Sequence, residues 1–121
     1  MTLRLTLLCG MIDLGFAAFH MLFWRLFGWP ERLAPSGATN AAITQTLNIV
    51  LILVFVMYGA ALTWQGWHGV PATMLLWAGV VFGVVRAALQ PLLFGLTRRS
   101  SLLMFVLICA ATLLHLRAAV I

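Results

Sequence analysis

The chain has 121 residues, 64% of them hydrophobic, and seven cationic against two acidic side chains give it a formal charge of +5. Soluble domains are nearer half apolar, so this composition excludes an ordinary soluble domain and leaves no room for one beside the apolar runs. Nucleic acid is excluded as a partner too: every cation is arginine, most stand at the ends of apolar runs where they anchor helices or meet lipid phosphates, and no basic stretch alternates with exposed aromatics.

The first apolar run predicts a helix from about Leu3 to Phe27, long enough for the ~20 residues a membrane span needs. Leu7-Leu8-Cys9-Gly10 has the outline of a lipoprotein cleavage site, but the apolar stretch before it is too short and Leu8 is too large, so the helix is read as retained. Its polar exceptions, Asp13 and His20, lie seven apart and share a face with Ala17 and Trp24. Cys9, and Cys109 far along the chain, are lone cysteines in apolar helices and read as free, buried, small hydrophobes; no CxxC or zinc spacing is present.

Gly28 to Thr39 is the longest loop, broken by Pro30, Pro35 and Gly37, with Ser36, Thr39 or Asn40 available to cap the next helix. That second helix is predicted from about Asn40 to Trp64, with Gln45, Asn48, Ile52, Phe55 and Gly59 on one face and Tyr58 toward its far end. Gln65 to Pro71 is a short connection, with His68 as a solvated interface residue. Trp24 and Trp29 at one loop, and Trp64 and Trp67 at the other, read as two aromatic belts.

The third helix, about Ala72 to Phe94, carries the stretch Gly79-Val80-Val81-Phe82-Gly83-Val84-Val85-Arg86-Ala87-Ala88-Leu89-Gln90-Pro91. Helical spacing puts Gly79, Gly83, Arg86, Ala87 and Gln90 on one side. The glycines permit close approach of another helix, within the chain or in a homo-oligomer. A guanidinium at membrane depth costs about 2.5–3.5 kcal/mol on insertion scales, so Arg86 requires acceptors from other helices, water or a ligand. Pro91 is expected to kink the last turn and to leave a carbonyl facing a cavity. Arg98-Arg99-Ser100 links to a fourth helix, Ser101 to about Ala119, which carries Thr112, His115 and Arg117.

The fold class is therefore all-α: a single polytopic membrane domain over residues 1–121, built as an antiparallel bundle of four transmembrane helices, since short links force neighbours to run in opposite directions. Arg25, Arg32, Arg98 and Arg99 mark one side, against Arg4 and Arg117 on the other. That bias puts the first and third connections inside and both termini outside, in a cell membrane of bacterial inner-membrane type.

Depth sorts the polar residues into two groups. Counted from the inner ends, His20, Asn48 and Arg86 lie roughly 12–14 Å deep, with Gln45 and Gln90 one turn shallower. From the other side, Asp13 lies roughly 12 Å deep, and Tyr58 and His115 roughly 9 Å deep as a second polar cluster. Opposite charges on Asp13 and Arg86, about 9 Å apart in height, could form an ion pair joining the two groups.

Convergence of intramembrane polar residues on one level marks a site. The expected function is a polar pocket for a small amphipathic or lipid-like molecule. Arg86 would hold an anion, a carbonyl or a developing oxyanion, with Gln45, Asn48, Gln90 and Trp24 orienting it. In a catalytic form, His20 or Asp13 would move the proton, without cofactor or metal. A helix core with interhelical hydrogen bonds and no ligand is the structural counterpart of that reading. Haem is disfavoured, because His20 and His115 differ by about 12 Å in depth. Transport and a subunit or assembly role in a larger membrane complex are the alternatives. Four spans in a chain this short, with Asp13 in the first, resembles the small multidrug resistance exporters in outline. The resemblance extends to Asp13 alone, where that family carries Glu, and Arg86 argues against a cationic substrate.

Overall fold

Away from the punctuation at Gly28–Pro30, Gly37, Gly69–Pro71 and Gly95, the chain offers almost nothing but apolar, helix-compatible runs. The computed structural model describes residues 2–121 and is helical along those runs. Helix accounts for 88% of it, with no strand among the described residues. Helix α1 spans Thr2–Met21 and α2 spans Phe23–Phe27. The break at Leu22, where one continuous helix was expected, needs no Gly or Pro: Leu22 N–H reaches back only three residues to Phe19 O (3.0 Å), and Arg25 N–H does the same to Leu22 O (3.0 Å). Gly28 closes α2 in the left-handed conformation (φ 63°) with its N–H on Trp24 O.

Part of the expected loop is a 3-10 helix, Glu31–Ser36. Ser36 and Asn40, expected as caps, fasten its end instead: Ser36 Oγ donates to Leu33 O (2.7 Å) and Asn40 Nδ2 donates to Ser36 O (2.9 Å). Helix α3 then runs Ala38–His68, four residues past the expected end at Trp64. It stops at Gly69 (φ 73°), with Val70 N–H on Gln65 O. Its 31 residues rise about 46 Å, longer than the ~30 Å of a hydrocarbon core. Thr39 and Asn40 at one end, and Trp64, Trp67 and His68 at the other, are exposed. Helix α4 spans Thr73–Leu89, widens into a π turn over Gln90–Phe94, and is followed by α5, Arg99–Val120. Pro91 accounts for the π turn because it has no N–H to give the α-helical ladder.

The chain divides into two compact units, Gly10–Ala61 and residues 2–9 with Leu62–Ile121, so that α1 and α3 contribute to both. In the first unit, Phe16 of α1 stacks on Phe55 of α3 at 5.7 Å. Gly59 lies so close to α1 that a Cβ there would stand 2.8 Å from Gly10 O. In the second, Gly66 of α3 packs on Leu7 of α1, and α4 packs along α5 with Gly83 against the side chain of Thr112. The close approach expected of Gly83 is thus used within the chain.

Four stretches are long and apolar enough to cross a membrane: Thr2–Met21, Ala38–His68, Thr73–Phe94 and Arg99–Val120. This is the pattern of a multi-pass membrane protein. The burial pattern agrees: Met57, Leu53, Val81, Leu103 and Leu113 are exposed, whereas Thr6, Asp13, Asn48, Gln90, Ser101 and His115 are buried. Water would favour the reverse distribution.

Candidate functional site

In the Gly10–Ala61 unit, the polar stripe of α1 meets that of α3. His20 Nδ1 donates to Asn48 Oδ1 (2.8 Å), and Asn48 Nδ2 donates to His20 O (3.0 Å). A carboxamide oxygen only accepts, so this bond places a proton on Nδ1 of the imidazole. The ring lies among aromatics, 4.3 Å from Phe23 and 5.5 Å from Phe55 between centroids. One turn on, Trp24 Nε1 donates to Gln45 Oε1 (3.0 Å), and Gln45 Nε2 donates to Ala41 O (3.2 Å). These four side chains, each a sequence candidate, bond to one another and to backbone, which is the pattern of an interhelical polar layer. Asn48→Ala removes both contacts to His20. It is expected to lower stability by about 1–2 kcal/mol, since interhelical bonds in membranes average ~0.6 and reach ~1.7 kcal/mol each. Thermal unfolding of the variant in detergent measures this; an unchanged midpoint would remove the layer's structural role.

Asp13 is buried (5% exposed) and Tyr58 is half-buried, both in this same unit. His115 belongs to the other unit, where it is 3% exposed and its Nδ1 donates to Ala111 O one turn back (2.8 Å). Tyr58 belongs to the first unit and His115 to the second; of the five residues grouped by depth, His20, Gln45 and Asn48 belong to the first and Arg86 and Gln90 to the second.

Arg86 and Gln90, like Thr63 and Gln65 of α3, each keep one buried side-chain atom without a hydrogen-bond partner. Arg86 and Gln90 stand one turn apart on the face of α4 that also carries half-buried Gly79 and Ala87 and buried Gly83. Gln90 is 3% exposed, and its Nε2 donates to Ser101 Oγ (2.8 Å). The Ser101 hydroxyl in turn donates its single proton to Gly95 O. Ser101 Oγ can therefore only accept from Gln90, which fixes the carboxamide orientation and leaves Oε1 as the remaining acceptor. That Oε1 is buried without a hydrogen-bond donor, and Arg86 Nη1 is buried without an acceptor. The guanidinium lies over the ring of Phe94, with Cζ 5.5 Å from the centroid. The carbonyl that Pro91 was expected to free is not available: Ala87 O accepts from Gln90 N–H.

Two residues of this arrangement escaped the sequence reading. Ser101 looks like an ordinary start of a helix, and Phe94 looks like one more lipid-facing aromatic; only the π turn brings them to Gln90 and Arg86. Thr6, buried at 3% with Oγ1 donating to Thr2 O, could have been found, since it precedes Asp13 by seven residues on the same stripe.

A depression of about 250 Å³ lies elsewhere in the second unit, lined by Thr2, Thr6, the 69–73 connection, Leu76 and the end of α5. None of the expected site residues borders it. Comparison with protein families, curated proteins and solved structures finds nothing that matches this chain.

Proposed function

We propose that this chain is a small four-span membrane protein, an antiparallel helical bundle, that binds a small amphipathic molecule by its polar head at Arg86 and Gln90. One observation carries the reading: a buried guanidinium donor and a buried carboxamide acceptor, on adjacent turns of α4, both lack partners. Leaving such groups unmade costs about 1–3 kcal/mol each, more where the group is charged, so a molecule that satisfies them gains that difference on binding. The apolar tail then lies along the lipid-facing surface of α4, where Val81, Phe82, Val85 and Leu89 are exposed. Neither Arg86 nor Gln90 exchanges protons readily, so the pair suits recognition and not acid–base conversion.

The test is mass spectrometry of what co-purifies in mild detergent. Wild-type protein is expected to retain an amphiphile near one per chain, and Arg86→Gln to lose it while inserting with unchanged helix content. Equal retention in both overturns the reading.

The reading includes an orientation, with the 28–37 segment and the 95–98 link cytoplasmic and both termini outside, in a bacterial inner membrane. It is supported by Arg25, Arg32, Arg98 and Arg99, in or beside those two connections, against Arg4 and Arg117 on the other side. In a background with Cys9 and Cys109 replaced by Ala, a cysteine at position 36 is expected to resist an impermeant thiol reagent in intact cells, and one at position 68 to react. The opposite pattern inverts the topology.

A further inference from the structure

Resting on that proposed amphiphile site, we infer that Arg86 and Gln90 select a head group that both accepts and donates hydrogen bonds, a hydroxyl in the manner of a monoacylglycerol, and discriminate against the same molecule with its hydroxyls capped. Arg86 and Gln90 are placed to satisfy each other, since residues four apart on a helix are neighbours. They do not, because each is tethered elsewhere. The carboxamide is drawn to α5 by Ser101, whose own proton is committed to Gly95 O. The guanidinium is drawn to the face of Phe94 at the end of the π turn. What remains is a donor, Nη1, and an acceptor, Oε1, both shielded from solvent.

A fully deprotonated anion, such as a phosphodiester, satisfies Nη1 but sets its lone pairs against Gln90 Oε1. An ether or ester likewise accepts from Arg86 and offers nothing to Gln90. A hydroxyl does both, its oxygen accepting from Nη1 and its proton going to Oε1. Sites with buried polar groups reject analogues that leave one unpaired. Gln90 is therefore the specificity-determining residue, and Arg86 supplies the anchor.

The experiment uses purified full-length protein in detergent, with binding followed by native mass spectrometry. The probes are monoolein and its di-O-methyl ether, which share chain and backbone and differ in hydroxyl protons. Monoolein is expected to bind about tenfold or more tightly than the ether, as expected from one unsatisfied buried acceptor. Gln90→Met is expected to bring the two within about twofold of each other. Arg86-dependent binding of both probes with equal affinity overturns this inference and leaves the amphiphile site standing. Absence of Arg86-dependent binding by either probe overturns both. Because the wild-type comparison of two probes needs no variant, a poorly folded Gln90→Met does not blunt the test.

Discussion

Gly66→Ala is expected to lower stability by about 1–3 kcal/mol, the usual cost of overpacking, while Gly15→Ala raises it by about 0.8–1 kcal/mol through helix propensity. Both glycines lie within helices, Gly15 in α1 and Gly66 two residues before the end of α3. At Gly66 a Cβ would stand 2.6 Å from Leu7 N and 2.9 Å from its Cα, so the backbone of α1 itself has to move. At Gly15 nothing lies within 4 Å of that position and the residue is exposed. Gly59→Ala belongs with Gly66, since its nearest neighbours are Gly10 O and Leu14 N at 2.8 and 2.9 Å. Thermal unfolding of the three variants in one detergent separates them. Equal midpoints for Gly66→Ala and Gly15→Ala would show that the close approach contributes nothing to stability.

Arg86→Lys is expected to weaken monoolein binding about tenfold or more while the protein still inserts with wild-type helix content, because a hydrogen bond to a charged group is worth about 1.5–3 kcal/mol. The charge is kept, but the geometry is not. The guanidinium has Cζ 5.5 Å from the centre of the Phe94 ring and still carries Nη1 as a further donor, whereas an ammonium is a compact point that serves one of these contacts at a time. Titration of both proteins by native mass spectrometry reads the difference. Undiminished binding by the lysine variant would mean that charge alone suffices.

The four long apolar helices were legible because long apolar runs separated by Gly and Pro admit one interpretation. The details depended on what glycine was doing. The composition around Gly66 predicts a turn, yet Gly66 sits inside α3, with α1 occupying the space where a side chain would be. Gly69, three residues later, ends the helix with a positive φ. Sequence carries no mark to tell a packing glycine from a stopping one. Polar exceptions were easier: Asp13, Asn48, Gln90 and His115 stand out in apolar helices, and all are buried. Their partners were not legible. The bond between His20 and Asn48 depends on helix register, and Ser101 reaches Gln90 through a π turn whose width comes from Pro91 but whose direction does not.

The exchange of polar and apolar residues between inside and outside has a calorimetric consequence. Soluble domains owe their curved stability profile to apolar surface that meets water on unfolding and raises the heat capacity. Here Leu53, Met57, Val81, Leu103 and Leu113 already face outward in the folded state. In a bilayer they meet hydrocarbon before and after the helices separate. The heat-capacity increment on separation is then small, and the enthalpy is nearly constant with temperature. Stability falls almost linearly on warming, without the maximum near 10–20 °C usual for soluble proteins and without a cold-denatured branch.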